Sequence, residues 1–154
     1  MKIINLLCVI FFLSVFVSIG SSEELKRTAT IAGFNGEVMV KNPGPGSWAP
    51  AKVGDILSEG SFIKTGIGAK AVINIDNGQT AVVDVSEKSL VSFTTLIKDG
   101  ITGMKKTLLD LSIGQVLIKA EKLDTPDSKF EVKTPTSVVG VRGTKFSVKV
   151  DALK

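Results

Sequence analysis

From Thr28 onward the chain alternates apolar and polar residues with a period of two, and no window carries the three-and-four spacing of an amphipathic helix. Such alternation sends successive side chains to opposite faces, so each run reads as a strand with one apolar side. The runs are Thr28 to Gly33, Gly36 to Lys41, Ser61 to Thr65, Ala69 to Ile75, Gln79 to Val85, Lys88 to Thr94, Lys106 to Ile113 and Gln115 to Glu121. Between them stand turn formers: Asn35-Gly36, Asp76-Asn77-Gly78, Asp99-Gly100, Gly114 and Thr125-Pro126-Asp127. Asn77-Gly78 is the strongest hairpin signal, because a tight primed turn needs positive φ at both positions. Strands this close, with nothing helical between them, predict an all-β single domain of many short strands and no substantial helix. Turn signals recurring at roughly seven to fifteen residues favour a solenoid-like stack, with a β-sandwich or a barrel as the alternatives.

The closing stretch from Lys133 to Val150, KTPTSVVGVRGTKFSVKV, combines strand pattern, turn chemistry and charge. Phe146, Val148 and Val150 alternate with Lys145, Ser147 and Lys149, and Val139 and Val141 follow the same phase before the turn. Arg142 sits between Gly140 and Gly143, a setting for positive φ or close backbone approach. The run Lys129 to Lys133, KFEVK, echoes KFSVK at Lys145 to Lys149, and both are expected to bury a Phe and a Val beneath solvated lysines. Phe62, Phe93, Phe130 and Phe146 all fall on the apolar phase and read as core. The Pro43-Gly44-Pro45-Gly46 segment reads as a surface loop leading to Trp48, which is expected to cover the open end of the core; exposed, it would mark a contact site.

Lys2, the apolar run Ile3 to Ile19 and the small residues Gly20, Ser21 and Ser22 have the layout of a secretory signal peptide over residues 1–22, cut after Gly20 or Ser22. Left uncut, that segment would be the chain's only membrane attachment. Most of the apolar run follows Cys8 rather than preceding it, which is the wrong order for a lipid anchor. Residues 23–35 are an N-terminal lead and first strand, with 23–27 polar and loose, and residues 36–150 are the β domain. The expected location is outside the cytoplasmic membrane, periplasmic or extracellular. Cys8 is the one cysteine, so the exported part has no disulfide and must be held by burial.

Loss of Lys2 leaves a mature charge of about +3, too small and too evenly spread to indicate nucleic acid. The chain has no histidine, which with the missing cysteines removes the usual neutral-pH base, the usual zinc ligands and thiol nucleophiles. No cofactor or metal is expected, and no enzymatic activity. Ser61-Phe62-Ile63-Lys64 and Lys64-Thr65-Gly66 spell two serine acyl-enzyme signatures, but they overlap where that chemistry needs them on separate elements. Gly66-Ile67-Gly68-Ala69-Lys70-Ala71 matches a dinucleotide fingerprint by letters, yet a strand follows it rather than a helix. Asn74, Asp76 and Asn77 fit no twelve-residue calcium loop and read as turn formers.

An ordered set of landmarks spans the chain: Gly36-Glu37-Val38, Trp48-Ala49-Pro50-Ala51, Val53-Gly54-Asp55, Leu57, Gly60, Thr65-Gly66, Asn77-Gly78, Gly114-Gln115-Val116, Thr134-Pro135-Thr136, and Val139 through Phe146. From about Gly36 to Val150 this resembles the FecR-type extracytoplasmic domain, the Thr-Pro-Thr and Val-Arg-Gly-Thr runs being the specific part. The resemblance implies an all-β, solenoid-like domain that works by protein contact outside the cytoplasmic membrane. In the namesake proteins it relays a receptor signal to a sigma-factor-binding segment inside the cell. Only Met1 and Lys2 precede the apolar segment, so that cytoplasmic part is expected to be lacking.

The function expected is therefore a non-catalytic, exported FecR-like module for protein–protein interaction or signalling in the bacterial envelope. Its candidate partner-binding residues are Arg142, Gly143, Thr144, Thr134 and Lys145. Thr134 to Thr136 set a rigid extended lead-in, and Thr144 offers a hydroxyl to the turn. Arg142 either binds carbonyls of its own turn or reaches a carboxylate of a partner, an unidentified envelope protein. The alternative is an envelope or surface module that binds anionic glycan through Lys129, Lys133, Lys145 and Lys149.

Overall fold

A computed structural model describes residues 23–123 and 125–151; the leader assigned to residues 1–22 lies outside the described residues. The described chain contains no helix. Its strands are β1 (Glu24–Lys26), β2 (Ala29–Asn35), β3 (Val38–Lys41), β4 (Ala49–Pro50), β5 (Ile56–Leu57), β6 (Phe62–Thr65), β7 (Lys70–Ile75), β8 (Ala81–Val85), β9 (Leu90–Asp99), β10 (Lys105–Ala120), β11 (Lys129–Lys133), β12 (Val138–Val141) and β13 (Lys145–Val150). They form one curled, mostly antiparallel sheet, a half-barrel, so the all-β single domain holds.

The curl has a simple plan. Strands β5-β2-β7-β8-β10-β13 pair side by side in one half of the sheet, and β4-β3-β6-β9-β10-β11-β12 in the other. The chain crosses between the halves repeatedly, and four of the crossings are tight corners: from β2 to β3 at Gly36, from β6 to β7 at Gly66 to Ala69, from β8 to β9 at Ser86 to Ser89, and within β10 at Gly114. The inner faces of both halves supply one core that includes Ile31, Ile73, Phe93, Leu109, Ile118 and Phe130.

The corners stack on one another through backbone and hydroxyl groups. The Gly66 amide donates to the Glu37 carbonyl (2.9 Å), and Lys88 donates to Gly66 (3.1 Å). The buried Thr65 hydroxyl donates to the Ser86 carbonyl (2.6 Å) and accepts from the Ser89 amide (2.9 Å). The Ser89 hydroxyl accepts from the Gln115 amide (3.0 Å). Each corner thus satisfies the polar groups of the next, which removes the cost of leaving them buried and unpaired.

β10 belongs to both halves and changes phase on the way. Thr107, Leu109 and Leu111 face inward before the corner, Val116 and Ile118 after it, with a register shift between Leu111 and Ile113. A bulge re-aims side chains in this way. Gly114 alone permits the bend: its φ is +96°, and a Cβ there would lie 2.5 Å from Ser89 Cα. By sequence this element reads as two strands separated at Gly114; the structure makes them one. The hairpin signal at Asn77-Gly78 is realised between β7 and β8, with φ of 55° and 83° at those residues, in a loop that also holds Asp76 at 52°.

Three expectations change. Residues 23–27 are ordered: β1 pairs with the end of β9, and Arg27 is only 7 % exposed. Phe62 does not belong to the core; it is 37 % exposed, because β6 turns Ile63 and Thr65 inward, and the corner bonds satisfy the Thr65 hydroxyl there. Trp48, at 38 %, lies edge-on to Phe62, ring centroids 6.4 Å apart, outside the core. Phe93 and Phe130 are fully buried as expected, and Phe146 is half-buried against the core.

Arg27 ties the chain's start to the β7–β8 turn. Its Nη2 donates to Asp76 Oδ2 (2.6 Å) and to the Thr80 hydroxyl (3.1 Å), its Nε to both Asp76 oxygens (3.1 and 2.9 Å), and its Nη1 to the Thr107 hydroxyl (3.0 Å). Burial pushes the Asp76 carboxyl up, but hydrogen bonds from Arg27 and Thr80 and the charges of Arg27 and Lys105 outweigh it and hold the group below the ordinary carboxylate value.

Gly114→Ala should lower stability by at least about 2 kcal/mol in chemical denaturation, against no more than about 0.5–1 kcal/mol for Gly33→Ala, where a Cβ meets nothing within 4 Å. A depressed carboxylate contributes stability above its unfolded pKa and loses it as pH falls through the folded one. The melting temperature should therefore decline as pH drops below about 4. Asp76→Asn, which tolerates the same positive φ, should cost about 2–4 kcal/mol near neutrality and lessen that acid dependence.

Candidate partner-binding site

Two of the last three strands, β11 and β13, pair with the long strand β10. β11 runs parallel to its first half, from Lys106 opposite Lys129 to Asp110 opposite Lys133, while β13 runs antiparallel to its second half, from Gly114 opposite Val150 to Lys119 opposite Lys145. The two echoing runs, KFEVK and KFSVK, therefore flank the same strand in opposite directions. β12 pairs with the far side of β11 and closes that half of the sheet.

The candidate residues divide between the two ends of β12. Arg142, Gly143 and Thr144 form the connection from β12 to β13, and Lys145 opens β13. Gly143 adopts φ +63°, and a Cβ on it would sit 3.4 Å from Lys122 Cα, so the turn lies close over the chain leaving β10. The Thr144 carbonyl accepts from the Ala120 amide (3.1 Å), which fixes the turn through its backbone rather than through the hydroxyl. Arg142 is exposed, and its guanidinium makes no hydrogen bond or ion pair among the described residues.

Thr134 lies at the other end of the hairpin and has a different role. It is buried; its hydroxyl accepts from the Ser137 amide (3.0 Å) and donates to the Ser137 carbonyl (3.1 Å), holding the turn from β11 to β12. The Thr134-Pro135-Thr136 turn also lines a groove of about 450 Å³ with Ser112, Ile113 and Val150. The structure thus brings Arg142, Gly143, Thr144 and Lys145 together and leaves Thr134 as a scaffold residue.

Two of the four lysines of the glycan alternative already have partners. Lys133 lies 3.6 Å from Asp110, and Lys149 lies 2.8 Å from Asp151. These are solvent-exposed pairs, of the kind worth about 1 kcal/mol or less each. Ser61, the nominal nucleophile, is buried and its hydroxyl accepts from the Ser58 amide (3.0 Å), whereas Lys64 is exposed, so the two do not form a dyad. Asp76, a nominal calcium ligand, is bound to Arg27.

A family model described as FecR protein matches residues 61–153, more than half of the chain. The chain belongs to the FecR family. The match covers the candidate turn and all strands from β6 onward, while the landmarks from Gly36 to Gly60 lie ahead of it, in strands that complete the same two halves of the sheet. No curated protein and no solved structure matches the chain. The FecR family is a regulatory and signalling one, which directs attention to exposed surface rather than to a catalytic cleft.

The surface that sequence reasoning missed is β12 itself. Val138 is 59 % and Val139 37 % exposed. The available signal was the absence of any polar side chain from Val138 to Val141, where neighbouring strands alternate. Thr134→Ala should cost about 1–2 kcal/mol by loss of the turn bonds, and Arg142→Ala should stay within about 0.5 kcal/mol; thermal and denaturant melts of the two variants check the assignment.

Proposed function

We propose that this FecR-family chain is an exported, non-catalytic module of the bacterial envelope that signals by binding another protein through the turn from Arg142 to Lys145. The observation that carries the reading is the exposed Arg142 guanidinium, without a partner among the described residues and held on a backbone-anchored turn at the end of β12, which no described strand covers. A rigid fork of five donors in such a place is suited to a carboxylate supplied from outside the domain. Membership of a signalling family supports the reading, and the absence of histidine agrees with a contact role rather than with acid–base chemistry.

Photo-crosslinking in intact envelopes provides the test. A crosslinkable residue at position 144 should capture a discrete protein, capture should fail in Arg142→Ala, and a crosslinker at position 53, in a loop outside this turn, should not capture that protein. Anionic polysaccharide retained by both forms, and released by salt, would replace this reading with the glycan one.

A further inference from the structure

A free sheet edge is a template for another chain, and soluble proteins blunt it with charge, proline or shortness. The other borders of this sheet follow that rule. β4 contains Pro50, β5 has 2 residues, and β13 carries Lys145 and Lys149. β12 does not: it reads Val-Val-Gly-Val, pairs with β11 on one side, and has no strand on the other among the described residues.

Register defines what an added strand would meet. Val139 and Val141 stand opposite Val132 and Phe130, whose side chains are buried, so these valines extend the apolar inner face beyond the last strand. Val138 and Gly140 stand opposite Lys133 and Glu131 on the outer face. A further strand would continue both faces, apolar at one set of alternate positions and polar at the other.

Charge selects the occupant. Residues 129–150 carry Lys129, Lys133, Arg142, Lys145 and Lys149 against Glu131, a local excess of positive charge. Lys133 and Lys149 are paired with Asp110 and Asp151, which leaves Lys129, Arg142 and Lys145 as the cations there without an ion pair among the described residues. A second copy would bring the same charges against these, whereas an acidic segment would be drawn in.

We propose that β12 accepts an extended segment of a partner protein as an added strand, with apolar residues alternating with aspartate or glutamate, its carboxylates meeting Arg142 and the neighbouring lysines. This rests on the partner-binding reading above and specifies the partner's chemistry. Main-chain bonds to the edge supply affinity, and the alternating side chains supply selectivity.

The probes are a synthetic peptide of alternating valine and glutamate, its lysine-for-glutamate counterpart, and two copies of the acidic peptide N-methylated at odd or at even residues. The acidic peptide should bind the full chain and slow amide exchange at residues 138–141. Binding should weaken about tenfold in Arg142→Ala and be restored in part by Arg142→Lys. It should also fall steeply between about 0.05 and about 0.5 M salt. One N-methylated phase should abolish binding and the other preserve it, because only alternate amides face the edge. Equal binding of both N-methylated peptides or of the lysine peptide, no binding of the acidic peptide, or self-association that protects the same amides would each overturn the proposal. If the position-144 crosslink still depends on Arg142 in that event, the partner-binding reading stands and only the acidic strand falls. Loss of the crosslink as well removes both.

Discussion

The fold depends on one close approach, that of Gly114 to Ser89. β10 crosses from one half of the sheet to the other at this point, and no side chain fits between the two backbones. Because the bend is tight, the Ser89 hydroxyl reaches the Gln115 amide, the Thr65 hydroxyl reaches Ser86, and the corners stack as a ladder. A flat sheet of these strands would leave one apolar face open to water. Turning the chain at these corners folds that face on itself, and a chain without disulfides obtains one continuous core.

The same bend explains why the end of the chain is the open side. β10 is long enough to present an edge in each half, and β11 and β13 each take one of them. Among the described residues β12 then has β11 alone as a neighbour, so Val139 and Val141 lie at the rim of the core instead of within it. At the other extremity of the described chain Arg27 crosses to Asp76 and Thr80, which secures the first strand to the β7–β8 turn. A buried guanidinium tolerates that place only because every contact it makes is with a carboxylate, a hydroxyl or a carbonyl.

The candidate site was legible in part. Glycine on either side of Arg142 indicated a turn, and the structure has one, with Gly143 in the left-handed region. The Thr-Pro-Thr and Val-Arg-Gly-Thr runs associate Thr134 with that turn, but the β11–β12 hairpin sets them at opposite ends. Phe62 was misplaced for a related reason. An alternating run defines two faces without saying which is inward, and here Ser61, Ile63 and Thr65 form the inner one, the Ser61 hydroxyl being satisfied by the Ser58 amide and the Thr65 hydroxyl by the corner.

The sequence by itself determined the class of structure: all strands, the position of most turns, the buried faces of β7, β8 and β11, and the lack of histidine. These are local properties, set by side-chain period and backbone preference within a few residues. Tertiary structure alone decided that β10 is one bent strand rather than two, that Arg27 is a buried clamp rather than part of a loose lead, and that β12 is an uncovered border. Each depends on which distant segment comes to lie alongside, Ser89 for Gly114, Asp76 for Arg27 and β11 alone for β12. Such pairings are selected by the free energy of the whole core, to which a short window of sequence contributes only a part.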